Sequence, residues 1–414
     1  MIRAADEAAA AGRLRGGAGE AMPSGEGQQR PPVWPSLADW DAAPHNRWAF
    51  QNVNQLFPTA TVARGAGAVC GFARRPQDLG PIPVTRLDGS AADVDAVLAE
   101  TYSDGFLVLH RGAIVSERYF NGMTAETRHL SQSVAKSVIG CLAGILIARG
   151  LIDPERPLEH YVPALANSGY AGAAVWQPLD MRSGVRFTED YSDPAADFVY
   201  LDMASGWKPR SRPEAPATIR RLLAGVEQAR PHGGPIQYRS IETDAIAWVC
   251  EAVTGLPLQR LLAAEIWAPL GVERDAYFTV DGEGTCQADG GFNATLRDYG
   301  RFGQMCLQLG AFNDRQILPE DWIAGSRRGD EAAFGAYHAI QRDWYPAPTY
   351  RRQWWVLDNA SGLTCARGVF GQLILIDPAH ELVAVKLSSW PEFLNADHAV
   401  NSYRAIMAIA AALS

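Results

Sequence analysis

Long hydrophobic runs are missing from this 414-residue sequence, in which no stretch approaches the roughly 18 consecutive apolar residues of a membrane-spanning helix. A membrane partner is therefore not expected. Cysteine pairs are missing too: Cys70, Cys141, Cys250, Cys286, Cys306 and Cys365 are scattered without a C-x-x-C, two of them inside apolar helical patterns, and read as reduced core residues. Histidine is sparse, and the eight present form no H-x-x-x-H or H-E-x-x-H pair, which argues against a metal enzyme. No cofactor is called for. Basic excess is also lacking, since the formal net charge is -9, so neither nucleic acid nor an anionic lipid surface would meet a complementary patch. The stretch from Met1 to about Gln29 has no apolar segment behind its few arginines, which speaks against a secretory signal and for a cytoplasmic location.

What is present is an ordinary globular composition, 47% hydrophobic and 20% charged, in a chain long enough for two lobes with a cleft between them. A small-molecule substrate is the natural expectation. The sequence does not fix the oligomeric state, and a homodimer is among the states open to it. Residues 1–30 are low in complexity and expected to be disordered, and the segment from Pro31 to Trp48 is expected to pack across the surface of the folded body. Alternation and turn residues predict a hairpin over 105–119 and a second over 371–387, followed by a helix over 396–412. Helices are predicted between them at 217–229, 243–254, 257–270 and 296–309. Strands near both ends with helices between predict an α+β fold. Its α/β lobe, with an antiparallel sheet flanked by helices, would comprise 31–175 and 285–414, and its mainly helical lobe 176–284.

Chemistry concentrates at Ser133-Val134-Ala135-Lys136, which opens a helix that is apolar on all sides. Residues at i and i+3 share a helical face, so the Lys136 amine can fold back to the Ser133 hydroxyl and accept its proton. Burial in that helix is expected to lower the lysine pKa toward neutrality. The same spacing also describes an N-capping serine followed by a surface lysine. Gln237-Tyr238-Arg239-Ser240 stands before a further helix, where a phenol could shuttle a proton to a leaving group or simply cap a hydrophobic contact. Arg367-Gly368-Val369-Phe370-Gly371 opens the late hairpin, and paired glycines there signal close backbone approach or a bulge. An N–H from this strand and that of Ser133 could form an oxyanion hole.

The order Ser-x-x-Lys, Tyr-x-Ser and a glycine-flanked late strand before a terminal helix resembles the serine β-lactamases and penicillin-recognising enzymes. The resemblance is to the class C-like branch that includes the family VIII carboxylesterases. Within it, Glu189-Asp190-Tyr191-Ser192-Asp193-Pro194, Ala204-Ser205-Gly206-Trp207, Arg352-Gln353-Trp354-Trp355 and Lys386-Leu387-Ser388-Ser389-Trp390-Pro391 are most similar to the 6-aminohexanoate-dimer hydrolases. That resemblance implies Ser133 as nucleophile, Lys136 as base, Tyr238 as proton relay and the N–H groups of Ser133 and Val369 as oxyanion donors. It implies that Tyr191 binds the scissile amide nitrogen, that Trp207 sits on a loop closing over the substrate, and that Asp202 holds an ammonium end; Asp202 could equally be a plain loop carboxylate. Asp289 and Phe370 would shape the acyl pocket, where the family often carries an amide or imidazole and a histidine respectively. The β-lactamase Lys-Thr-Gly is replaced by Arg367-Gly368-Val369, so efficient penicillin hydrolysis is not expected. The implied activity is hydrolysis of linear amides and short-chain esters through an acyl-enzyme. The alternatives are an esterase without amidase activity and a non-catalytic binding module on the same fold.

Overall fold

The computed structural model describes residues 33–334 and 348–414, and the tail over 1–30 lies outside them. Both hairpins read from the sequence form. Ser103–His110 pairs antiparallel with Ala113–Tyr119 across a turn where Arg111 and Gly112 take φ of 50° and 74°, the left-handed pair that a tight hairpin turn needs. Gln372–Asp377 pairs antiparallel with Leu382–Ser388. Register then joins the hairpins, because Val385 lies opposite Leu107 and Lys386 opposite Phe106.

The resulting eight-stranded sheet runs in the spatial order Thr349–Arg351, Trp354–Asp358, Leu363–Gly368, Gln372–Asp377, Leu382–Ser388, Ser103–His110, Ala113–Tyr119 and Ala73–Arg74. Neighbours are antiparallel except at the last edge, where Ala73–Arg74 runs parallel to Ala113–Tyr119. Alternation sorts the side chains to two faces. Leu107, Leu109, Ile374, Ile376, Val383 and Val385 belong to one core cluster, with residues of the helices Val134–Ala148 and Leu296–Leu307. Phe106, Val108, Leu375 and Ala384 belong to another, with Ile406, Ile409 and Ala410 of the C-terminal helix Ala396–Leu413. The result is a sheet between helical layers.

Every residue from Val134 to Leu146 is buried, which explains why that helix is apolar all round. Its glycines allow contact on both flanks: a Cβ on Gly144 would stand 2.5 Å from the Trp322 ring, and one on Gly140 would stand 2.5 Å from the Arg352 carbonyl oxygen.

The predicted helices differ in extent. The one expected over 217–229 spans only Ile219–Gly225, because Thr218 caps its start by accepting from the Arg221 N–H and Val226 turns extended (ψ 148°). The one expected over 257–270 divides into Leu258–Leu262 and a π turn over Ala263–Trp267. A four-stranded sheet of Thr59–Val62, Ala276–Thr279, Phe292–Thr295 and Arg128–Leu130 went unread, since strands this short carry too little alternation to register.

The early tryptophans do more than cover a surface. Trp34 is 58% exposed, but Trp40 is fully buried, edge-on to Phe50, Phe57 and Trp207, with its indole N–H donating to the Trp207 carbonyl at 2.9 Å.

Candidate active site

Gln132 takes a positive φ of 48°, and Ser133 follows as the last residue before helix Val134–Ala148. The Ser133 N–H therefore belongs to a helix N-terminus, whose first amides have no carbonyl one turn back. One turn on, the Lys136 Nζ donates to Ser133 Oγ at 2.8 Å and to the Asp289 carbonyl at 2.8 Å, with Asp289 Oδ2 at 3.6 Å. Tyr238 completes the cluster. Its ring lies 5.3 Å from the Lys136 Nζ, stacks on Trp355 at 5.4 Å, and its hydroxyl interacts with Ser133 and Lys136.

The electrostatics differ from the sequence expectation. Burial pushes the Lys136 pKa down, but Tyr238, Asp289, Glu189 and Asp244 together hold it above the ordinary lysine value. For Tyr238 burial pushes the phenol up, the Lys136 charge opposes it, and the net shift is upward. The two groups face each other and titrate as a pair. Beneath them, burial and Asp289 drive the Asp244 pKa well above the usual carboxylate range. Asp244 Oδ2 and Asp289 Oδ1 are both buried without a hydrogen-bond partner.

The late strand approaches Ser133 closely, as its glycines suggested. A Cβ on Gly368 would stand 2.7 Å from the Ser131 carbonyl and 3.0 Å from the Ser133 nitrogen. Directly after Val369, Phe370 takes a φ of 59° and Gly371 one of 90°. A left-handed phenylalanine costs about 1–2 kcal/mol. It is held by its own N–H donating to the Phe393 carbonyl at 2.9 Å and by ring contacts to Phe393 and Phe50 at 4.5 and 5.1 Å. This reversal leaves Val369 facing the same cavity as Ser133.

That cavity measures about 730 Å³, and Ser133, Tyr191, Tyr238, Trp355 and Val369 are among its walls. Asp289, Phe370, Trp207 and Asp202 stand outside its lining. Asp289 lies against Lys136, and Phe370 packs behind the strand. Trp207 is buried with its indole N–H on Thr279 Oγ1 at 3.2 Å. Asp202 is buried as well, its pKa raised well above the usual range by burial and by Asp41, with Lys208 opposing.

Glu189 had no role in the sequence reading, although it begins one of the recognised strings. Its carboxylate lines the cavity and accepts from the Tyr191 hydroxyl at 2.6 Å and from the Ser240 N–H and hydroxyl at 2.5 and 2.7 Å. The hydroxyl of the Tyr-x-Ser pair thus orients a glutamate. Burial raises the Glu189 pKa against the opposing charge of Lys136. Among the described residues no group of three or more metal-ligating side chains occurs, and no helix is long and apolar enough to cross a membrane.

A mixed fold with its antiparallel sheet, and a serine held by a buried lysine at a helix start, define a serine hydrolase of the β-lactamase-like class. The beta-lactamase family model matches residues 92–407, and the chain belongs to that family. It is 39% identical over 370 residues to the 6-aminohexanoate-dimer hydrolase of Paenarthrobacter ureafaciens, covering 86% of this chain and 89% of the relative. Among solved structures, a Bacillus anthracis protein proposed to be a 6-aminohexanoate-dimer hydrolase superposes with a TM-score of 0.84 at 30% identity, over 91% of this chain and 96% of the other. EstCE1, a hydrolase with promiscuous acyltransferase activity, shares the fold at a TM-score of 0.60 and 17% identity, over 76% of this chain and 97% of its own.

Proposed function

We propose that the protein cleaves linear amides of the 6-aminohexanoate-oligomer type, and short-chain carboxylic esters, through an acyl-enzyme on Ser133. The observation that carries this reading is the 2.8 Å contact between Lys136 Nζ and Ser133 Oγ beside Tyr238, at the wall of the large cavity. Ser133 Oγ attacks the carbonyl carbon and gives its proton to the Lys136–Tyr238 pair. The carbonyl oxygen, now an anion, accepts from the N–H groups of Ser133 and Val369, each such donor being worth roughly 2.7–4 kcal/mol when lost. Tyr238 passes the proton to the departing amine or alkoxide, the carbon–nitrogen or carbon–oxygen bond breaks, and water then releases the acid by the reverse proton path. Because Lys136 and Tyr238 are both shifted above their ordinary values, the resting pair holds both protons, and the reactive form in this reading is the one in which the pair has lost a proton and can take that of Ser133.

Tyr191, whose hydroxyl donates to Glu189, would hydrogen-bond the scissile nitrogen, which an ester does not offer. Asp202 would serve an ammonium end, since a buried cation needs a charged partner. Trp207 would close over the bound chain, with Asp289 and Phe370 acting on the acyl pocket from behind its wall.

The test mixes purified protein with a linear aminohexanoate dimer and, separately, with a p-nitrophenyl short-chain ester, following amine and phenolate release. Both are expected to be cleaved, and Ser133→Ala is expected to lose both while melting at the wild-type temperature. Cleavage of the ester alone would reduce the protein to an esterase, and activity surviving in Ser133→Ala would move the chemistry away from this serine.

A further inference from the structure

Lys386 is only 1% exposed, yet it lines the same cavity as Ser133. Strand register places Arg367, Leu373, Lys386 and Phe106 in one row across four adjacent strands, on the face that the C-terminal helix covers. The Lys386 ammonium donates to the Thr101 carbonyl at 3.0 Å and to the Ser388 hydroxyl, which leaves one of its three N–H groups. Among the described residues no carboxylate stands within ion-pair distance of it. The acid whose field reaches it, Asp104, is already engaged by Arg47 at 3.3 Å and His129 at 3.0 Å.

Two further groups converge on this arm of the cavity. Ser402, on the C-terminal helix, is 5% exposed, lines the cavity and has a hydroxyl with no partner. Arg367 lines it as well, its guanidinium 4.5 Å from the Trp355 ring. The helix Ala396–Leu413 begins beside them, so its positive end adds to the same field. The remaining walls carry Glu189, Asp190 and Glu392, which would repel a multiply charged anion and favour a single negative charge confined to the arm.

We propose that this arm is a carboxylate subsite. In it Lys386, Arg367 and the Ser402 hydroxyl receive the terminal carboxylate of a linear amide whose scissile carbonyl lies at Ser133. A buried ammonium with a spare N–H and no counter-ion is complemented by a carboxylate, and charge-assisted hydrogen bonds are the strong ones. The proposal rests on the linear-amide reading above, but its binding step can be measured without any turnover.

Hexanoate and hexanamide share one alkyl chain and differ in the terminal group, an anionic carboxylate against a neutral amide. Calorimetric titration of the full-length wild-type protein at pH 6 is expected to show hexanoate binding at least tenfold tighter than hexanamide. That ratio should fall to near one in Lys386→Met and in Arg367→Gln, and be reduced in Ser402→Ala. Equal affinities in the wild type, or a ratio unchanged in both charge variants, would overturn the subsite. Failure to cleave the aminohexanoate dimer while the hexanoate preference holds would instead overturn the substrate reading alone.

Discussion

Lys136 and Lys386 are equally buried, but more negative charge surrounds the first. Lys136 has Asp289, Glu189 and Asp244 around it, whereas Lys386 is reached by Asp104 with Arg47 opposing, and neighbours His398 on the C-terminal helix. Burial therefore wins at Lys386 and brings its pKa down to about 7. An unfolded lysine titrates near ~10.4, so between the two values the unfolded chain holds the extra proton and stability rises with pH over that window. Below about pH 7 both states are protonated and the full cost of the buried charge is present. Lys386→Met is expected to melt higher than wild type, with the gap widest near pH 6 and narrowing toward pH 10, as thermal melts across that range would show. Hexanoate affinity should fall in the wild type over the same rise in pH, as the ammonium empties.

At the scale of elements, the approach of strand Leu363–Gly368 to the start of helix Val134–Ala148 sets the distance between the two proposed oxyanion donors. Gly368→Ala adds a methyl group 2.7 Å from the Ser131 carbonyl, so the strand must retreat by a few tenths of an ångström. A fall in kcat of at least tenfold is expected, with KM for the ester changed less and stability lowered by about 1–3 kcal/mol, read from steady-state kinetics and denaturant unfolding. This feature was legible in the sequence because only glycine permits such proximity. The second sheet was not, nor was the division of the helix expected over 257–270 at its π turn. The role of Glu189 escaped for a related reason: a carboxylate shared by Tyr191 and Ser240 depends on residues 51 apart in the chain. The direction of the Lys136 shift escaped likewise, because burial was visible locally and the surrounding acids were not.

At the scale of the molecule, the family match begins at residue 92, yet the segment before it reaches the back of the site. Trp40, Phe50 and Phe57 share one hydrophobic cluster with Trp207, Phe370 and Trp390, so the early chain props both the proposed closing tryptophan and the oxyanion strand. Trp40→Ala is expected to cost about 3–5 kcal/mol and to lower activity even below the melting temperature, since it leaves a cavity behind both supports. Calorimetric melting alongside ester kinetics at 20–25 °C would check this. The early tryptophans were visible in the sequence as a cluster, but the depth of Trp40 depends on a distant partner as well as on Phe50 and Phe57, as the Trp40–Trp207 hydrogen bond spans 167 positions.

The sheet draws its strands from 73–119 and 349–388, with the Ser133 helix encoded between them. During synthesis the early hairpin therefore leaves the ribosome long before its neighbour Leu382–Ser388 exists, and Ser389 reaches Asp104 across 285 positions. Such distant pairing makes assembly slow and late. A nascent chain carries Ser133 and Lys136 for most of its translation without the strand that faces them, so the proposed site is assembled only at the end of synthesis.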